Sequence, residues 1–333
     1  MKTSDPGRMR TIVATVVAVL LVASGSAAAY AMLPKSEGRN PTRPLSGASG
    51  SADALPLDFF DLTPDQNLTV RKAVYRIWQR CAQYYSAPFL LAPPQPARYP
   101  KNALLLGSLE GRQVAEYGYQ GPRNFVPDMH LAATGVEQIA IPQDFAPLFK
   151  GSVKTFKGHP VPKGGCSALP DRVLTDPAQA KWLADRLHRP DMPWRALQYM
   201  AEDAHDSAQK STEVSTARKV WVRCMARAGL PYDDPLSAEN DPQWSRNGNV
   251  TAHQIQVART DLGCRMKARY STSLRAAISQ QEEHTIRQEQ ATLSAIRNLQ
   301  LLRYQRALGI LRFTPAAGTA RQICEAPDRC LAW

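Results

Sequence analysis

Six cysteines, Cys81, Cys166, Cys224, Cys264, Cys324 and Cys330, all lie downstream of an uncharged run from Thr11 to Leu33. That order decides the compartment in which the chain folds. The run follows Lys2, Arg8 and Arg10, and basic residues ahead of an apolar segment hold the N-terminus in the cytoplasm while the remainder crosses the membrane. Residues 1–10 read as a cytoplasmic n-region and residues 11–33 as either a transmembrane anchor or a signal peptide. At about 1.5 Å per residue the run spans roughly 34 Å, enough for a tilted membrane-crossing helix. Its most apolar part, Ile12 to Ala23, has signal-peptide length, and Ala27-Ala28-Ala29 or Ala29-Tyr30-Ala31 offers a small-residue cleavage site. Either outcome places the rest of the chain outside the cytoplasm. No Cys lies in or just after the run, which excludes lipidation at a lipobox.

An even number of cysteines in an oxidising compartment predicts disulfides. Spacing and an internal echo select among the pairings. Ile77-Trp78-Gln79-Arg80-Cys81 and Val220-Trp221-Val222-Arg223-Cys224 differ only at Gln79/Val222 once Ile and Val are counted alike. Each half has one later Cys to offer, which predicts Cys81–Cys166 and Cys224–Cys264, with Cys324–Cys330 closing a short C-terminal loop. Loop-closure entropy gives about 4 to 5 kcal/mol for each long loop and roughly 2 kcal/mol for the short one. No CxxC or HxxxH accompanies these cysteines, so they do not read as a zinc site.

Residues 34–54 are built from Pro, Gly, Ser, Ala and a few charges, a composition that predicts a flexible tether. About 280 residues follow, enough for ordinary apolar cores. We read them as a first subdomain, 55–170, holding one helix and an irregular Pro/Gly-rich stretch, and a helical subdomain, 171–333. Thr63-Pro64-Asp65-Gln66 is a capping box that opens a helix through Trp78 and Cys81, with Val70, Val74, Ile77, Trp78 and Cys81 on one face. Residues 86–170 predict a mostly irregular stretch, with one short helix around Leu109 to Tyr117.

Further helices are predicted from Asp176 to about Leu187, from Pro193 toward Ala204, and from about Thr212 to Ala228, the last closed by Gly229 as a left-handed cap. Thr251 caps the next, and nothing is expected to break the long helix that follows, over about 252–309, until about Gly309. A Cys224–Cys264 bond would clamp these last two helices as an antiparallel hairpin. On the long helix Leu274, Ile278, Ile286, Leu293, Ile296, Leu299 and Leu302 form a stripe that packs on its own domain or projects to meet a partner. Gln281-Glu282-Glu283 reads as part of the solvated opposite face. The expected fold is therefore mainly α, a disulfide-stapled helical bundle with a long C-terminal helix and a Pro/Gly-rich irregular region in the first half.

The net charge is +12. Residues 1–32 hold three Lys/Arg and one acid, so their removal leaves 38 basic against 28 acidic residues, or +10. That charge is shared evenly along the chain with no basic tract, which argues against a nucleic-acid partner. It suits an anionic envelope surface. No HExxH, GxSxG or phosphate-binding glycine loop occurs, so no catalytic residue, cofactor or metal ligand is expected. Two local clusters carry rival readings. Gly164-Gly165-Cys166 with His159 nearby would suit a thiol hydrolase, against which the even cysteine count argues. Glu202-Asp203-Ala204-His205-Asp206 could hold a divalent cation but reads first as a solvated helix end.

Trp221-Val222-Arg223-Cys224-Met225-Ala226-Arg227-Ala228-Gly229-Leu230-Pro231-Tyr232-Asp233-Asp234-Pro235 resembles the W-x-x-C-M-x-x-x-G-x-x-Y-x-x-P signature of a group of exported actinobacterial proteins. Asp261-Leu262-Gly263-Cys264-Arg265 is similar to the D-x-x-C-[RK] that follows it in that group. Arg80-Cys81 and Glu116-Tyr117-Gly118-Tyr119 resemble its N-terminal segments, with Ala82 where the group has Met. The resemblance implies an envelope role near ABC-type exporters and peptidoglycan-binding adaptors, and it assigns no functional residue. On a helix Val220, Trp221 and Cys224 share a core face, while Asp261 and Arg265 form a surface pair worth a few tenths of a kcal/mol. The sequence predicts a non-catalytic envelope accessory that binds a membrane or cell-envelope protein through its long helix or its Pro-rich loops. The alternative is a module for anionic wall polymer or lipid headgroups.

Overall fold

In the computed structural model, which describes residues 54–87, 92–107, 111–137, 139–187, 195–244 and 249–312, the chain is mainly helical. Helix α1 (Pro64–Tyr84) begins as its cap predicts. Gln66 N donates to Thr63 Oγ1 at 3.3 Å, Thr63 N donates to Gln66 Oε1 at 3.0 Å, and Pro64 opens the first turn. A single 3-10 turn, Pro56–Phe60, precedes it. The uncharged run, the tether, Cys324 and Cys330 lie outside the described residues. Among the described residues no helix is long and apolar enough to cross a membrane.

The Pro/Gly-rich stretch is a series of short pieces: α2 (Ala103–Leu106), α3 (Gly111–Tyr117), α4 (Phe125–Thr134), α5 (Ala146–Lys150) and a two-stranded hairpin, β1 (Thr155–Phe156) with β2 (His159–Pro160). Its end is fixed by the Cys81–Cys166 disulfide, with Cα atoms 5.8 Å apart. Glycine is required there. Gly165 has φ +64°, and a Cβ on it would collide with the Leu148 carbonyl, while a Cβ on Gly151 would collide with Gly165 N.

After it come α6 (Leu169–Leu174), α7 (Pro177–Leu187), α8 (Ala196–Gln209), α9 (Thr212–Arg227), α10 (Pro235–Glu239) and α11 (Ala252–Ala268). Helix α8 starts at Ala196 and runs past the expected end at Ala204; Pro193 lies outside the described residues. Cys224 and Cys264 join α9 to α11 with Cα atoms 5.6 Å apart, the disulfide that the spacing predicts.

The long helix expected over 252–309 is three helices, α11, α12 (Tyr270–Gln288) and α13 (Gln290–Arg312). Arg269 breaks the first join in the left-handed region at φ 54°, ψ 32°. A non-glycine residue there costs roughly 1–2 kcal/mol. The turn buries Tyr270, whose hydroxyl donates to Gln209 Oε1 at 2.9 Å on α8. Glu289, at φ −112°, ψ 29°, marks the second join. Each break redirects the chain so that α12 lies along α8 and α9, and α13 lies along α1. Sequence periodicity could not register the joins, because neither Arg269 nor Glu289 is a helix-breaking residue.

Three apolar cores result. Trp221, Met225, Val257, Cys264, Leu274 and Ile278 fill the one between α9, α11 and α12. Val70, Ile77, Cys81, Cys166, Ala307 and Ile310 form a second between α1 and α13, drawn from both sides of position 170. Leu57, Leu183, Leu197, Leu293, Ile296 and Leu299 form the third. Leu274, Ile278, Leu293, Ile296 and Leu299, five of the stripe residues, are thus internal, and Ile286 and Leu302 are half-buried. Arg76 Nη1 closes the end of α13 by donating to the Ile310 and Leu311 carbonyls at 3.1 and 2.9 Å.

Candidate functional site

The residues of the sequence signature converge. Trp221 on α9 donates its indole N–H to Asp261 Oδ1 on α11 at 2.7 Å, and Tyr119 donates its hydroxyl to Asp261 Oδ2 at 3.0 Å. Arg265 adds two more bonds, Nε to Oδ1 at 2.8 Å and Nη2 to Oδ2 at 3.0 Å. Asp261 is fully buried and Arg265 nearly so. The expected surface pair is in fact the centre of a buried polar network, because Tyr119 and α10 cover it from outside. Arg265 Nη2 also reaches Glu239 Oε1 at 2.7 Å and the Pro235 carbonyl at 3.3 Å.

Local sequence explains the convergence. Gly118, at φ +55°, ends α3 and lets the backbone pass α11, where a Cβ would come within 3.1 Å of Gln254 Cγ; this turns Tyr119 inward. Burial, reinforced by Asp261, pushes the Tyr119 hydroxyl pKa well up, so it stays a donor. Burial opposes the Arg265 charge, but Asp261 and Glu239 outweigh it and hold the guanidinium ionised. Burial raises the Glu239 pKa, with Arg265 acting against the shift. Both oxygens of Asp261 accept two hydrogen bonds from the protein. The network is a clamp between the irregular region and the disulfide-linked pair α9 and α11.

The echo in the first half lacks this partner. Trp78 packs edge-on against Phe149 at 5.3 Å, and its buried Nε1 has no hydrogen-bond acceptor among the described residues. Three residues before Cys166 stands Lys163, where the second half has Asp261.

Cys166 carries no thiol, since its Sγ is bonded to Cys81, and the thiol-hydrolase reading of Gly164-Gly165-Cys166 is corrected on that ground. His159 packs on the Tyr84 ring at 5.2 Å. In the α8 cluster Glu202 accepts from Gln198 at 2.7 Å, and His205 Nδ1 lies 3.4 Å from Asp206 Oδ1 at the surface. Among the described residues no group of three or more His, Cys, Asp or Glu side chains could hold a metal ion. His188 lies outside them.

A cavity of about 120 Å³ opens where the irregular region meets the bundle. It lies between the 3-10 turn, α2, the end of α4, α8, α12 and α13. On its wall Lys101 Nζ bridges Asp58 Oδ1 at 2.8 Å and Asp61 Oδ2 at 2.7 Å. Burial works against the ammonium, but Asp61 and Asp58 outweigh it and push its pKa up to about 12. Asn102 Nδ2 donates to Asp58 Oδ2 at 2.7 Å, and Gln300 Nε2 donates to Asp61 Oδ1 at 3.2 Å.

Glu282, 1% exposed, lines the same cavity, and its Oε2 accepts from Leu57 N at 2.8 Å. Placing it on a solvated face is therefore corrected. It stands four residues beyond Ile278 and eight beyond Leu274, on the buried stripe itself. Burial pushes its pKa up to about 7, with the Leu57 N–H and Lys101 pulling against that shift and Asp58 adding to it. None of these cavity groups carried a motif in the sequence. Glu282 alone left a signal, an acid at i+4 from an apolar residue on a buried face. Compared with known proteins, the chain matches no family model, no curated protein and no solved structure.

Proposed function

We propose that this protein is a non-catalytic accessory of the cell envelope, working outside the cytoplasm and binding a protein partner through the face formed by α2, α4 and the turn after α4. The observation that carries the reading is the exposure of Leu104, Val126 and Val136, 57%, 72% and 40%, on these adjoining segments. Exposed apolar side chains on neighbouring segments suit a protein interface. The long-helix alternative loses its main support, because the stripe is largely consumed inside the protein. Two disulfides and the charge order of residues 1–33 support the extracytoplasmic site. An ABC-type transporter complex is the partner that the resemblance implies.

The test is in-cell photocrosslinking from positions 104, 126 and 136 of the full chain, with position 182 on α7 as a control for an exposed apolar residue elsewhere. A membrane or envelope protein captured from the first three positions and not from position 182 supports the reading. Absence of position-specific adducts, with salt-sensitive retention on cell wall, would replace it with anionic-polymer binding.

A further inference from the structure

The cavity wall holds three cationic side chains, Lys101, Arg195 and Arg303, and four carboxyl groups, Asp58, Asp61, Glu202 and Glu282. Most are already matched. Lys101 sits between Asp58 and Asp61. Arg303 Nη1 donates to Thr175 Oγ1 at 2.8 Å and lies 3.4 Å from Asp171 Oδ1. Arg195 Nε donates to Gln198 Oε1 at 2.9 Å, and Gln198 Nε2 donates to Glu202. Glu282 is the exception. Among the described residues no cation forms a salt bridge with it, and its hydrogen bond from Leu57 N engages Oε2, leaving Oε1 without a partner among them. A buried carboxyl group on a cavity wall, with one oxygen unused and one negative charge in excess around it, fits a small cation that donates N–H bonds.

We propose that this cavity binds a small molecule bearing a primary ammonium group, with Glu282 as its counter-ion. This site shares Leu104 and Val136 with the α2–α4 face but does not depend on the partner reading, since it rests on Glu282. The ammonium donates one N–H to Glu282 Oε1, forming a desolvated charge pair. A volume of about 120 Å³ admits a ligand of a few heavy atoms and no more. The residues that form the wall come from the 3-10 turn, α1, α2, the end of α4, α8, α12 and α13. A ligand there would therefore tie the irregular region to the bundle. Because Glu282 is largely protonated below neutrality, binding at pH 6 transfers its proton to the buffer.

Titration calorimetry of the full-length protein with ethanolamine and with L-alanine at millimolar concentration, acetate serving as the control, tests the site. Binding of either amine, with an apparent enthalpy that changes with buffer ionisation enthalpy at pH 6, is expected; which of the two binds separates a simple amine from an amino acid. Glu282→Gln keeps an acceptor for Leu57 N and should weaken binding about 10- to 100-fold, the loss of one charge-assisted hydrogen bond. Ala201→Leu, which fills the cavity from α8 without touching a charge, should also abolish binding. No heat from either amine, equal binding by both variants, or preference for acetate would overturn the site.

Discussion

Trp221 Nε1 and Asp261 Oδ1, 2.7 Å apart, form a second link between the helices that the Cys224–Cys264 disulfide joins, and each stands three residues before one of those cysteines. Two helices are thus joined twice, once covalently and once through a buried carboxylate that holds an indole, a guanidinium and a phenol. Asp261→Asn would leave Arg265 with only Glu239 as a charge partner. Removing one partner of a buried ion pair costs about 3–5 kcal/mol, and the retained amide oxygen places the expected loss near the lower end. Urea unfolding at neutral pH measures it, and a loss below about 1 kcal/mol would mean that Asp261 is not the hub.

Trp221→Phe removes the indole donor and some core volume, yet leaves Asp261 with Arg265 and Tyr119. We expect a loss of roughly 1–3 kcal/mol. The two substitutions should not add. Once Asp261 is Asn, the indole bond contributes less, and a double-mutant cycle should return a coupling of about 1 kcal/mol.

Helices, caps and both described disulfides were legible because each has a local or pairwise signature: Thr63 with Gln66, Gly229 as a cap, and the Trp-x-x-Cys echo. The joins at Arg269 and Glu289 were not, since the tertiary packing of Tyr270 against α8 overrides local preference. Asp261 and Arg265 were legible as a pair but not as buried, because Tyr119, which covers them, arrives from 142 residues away. The cavity was illegible for the same reason. Asp58, Lys101 and Glu282 share no spacing, and only the fold brings them together.

Gly165→Ala tests the approach to the first disulfide. The backbone there lies at φ +64° against the Leu148 carbonyl, so a methyl group has no room without moving α5. A destabilisation of roughly 3 kcal/mol is expected. Gly158 has a similar φ, +81°, but nothing within 4 Å of its would-be Cβ. Gly158→Ala should therefore cost only the backbone strain, about 1–2 kcal/mol. Equal thermal shifts for the two variants would show that the close approach does not constrain the fold.

Removing the Cys81–Cys166 bond by paired Cys→Ala substitution should release the irregular region more than it melts helices. The bond closes 85 residues of separation, against 40 for Cys224–Cys264. Chain entropy then favours a slightly larger loss for the first bond, within a range of about 2–5 kcal/mol for either. Limited proteolysis should open new cleavage sites between α1 and α6 in the first variant, and far-UV dichroism should change little. New cleavage confined to α9–α11 would contradict the assignment of the region to the first bond.

Glu282 gives stability a pH dependence whose sign follows from its burial. In the unfolded chain its pKa lies near the ordinary 4.5, and in the folded protein it is pushed up to about 7. Between those values the folded state holds a proton that the unfolded chain has released. Folding is therefore favoured on the acid side, and this contribution is lost as pH rises from 4.5 toward 7. The shift corresponds to on the order of 3 kcal/mol. Glu282→Gln mimics the protonated form, keeps an acceptor for Leu57 N, and has no charge to desolvate. The variant should lie within about 1 kcal/mol of the parent at pH 5 and exceed it by on the order of 3 kcal/mol at pH 8. Unfolding midpoints at the two values measure the difference directly. The same offset at both would show that burial does not hold the proton on Glu282, and that Lys101 already neutralises it across the cavity.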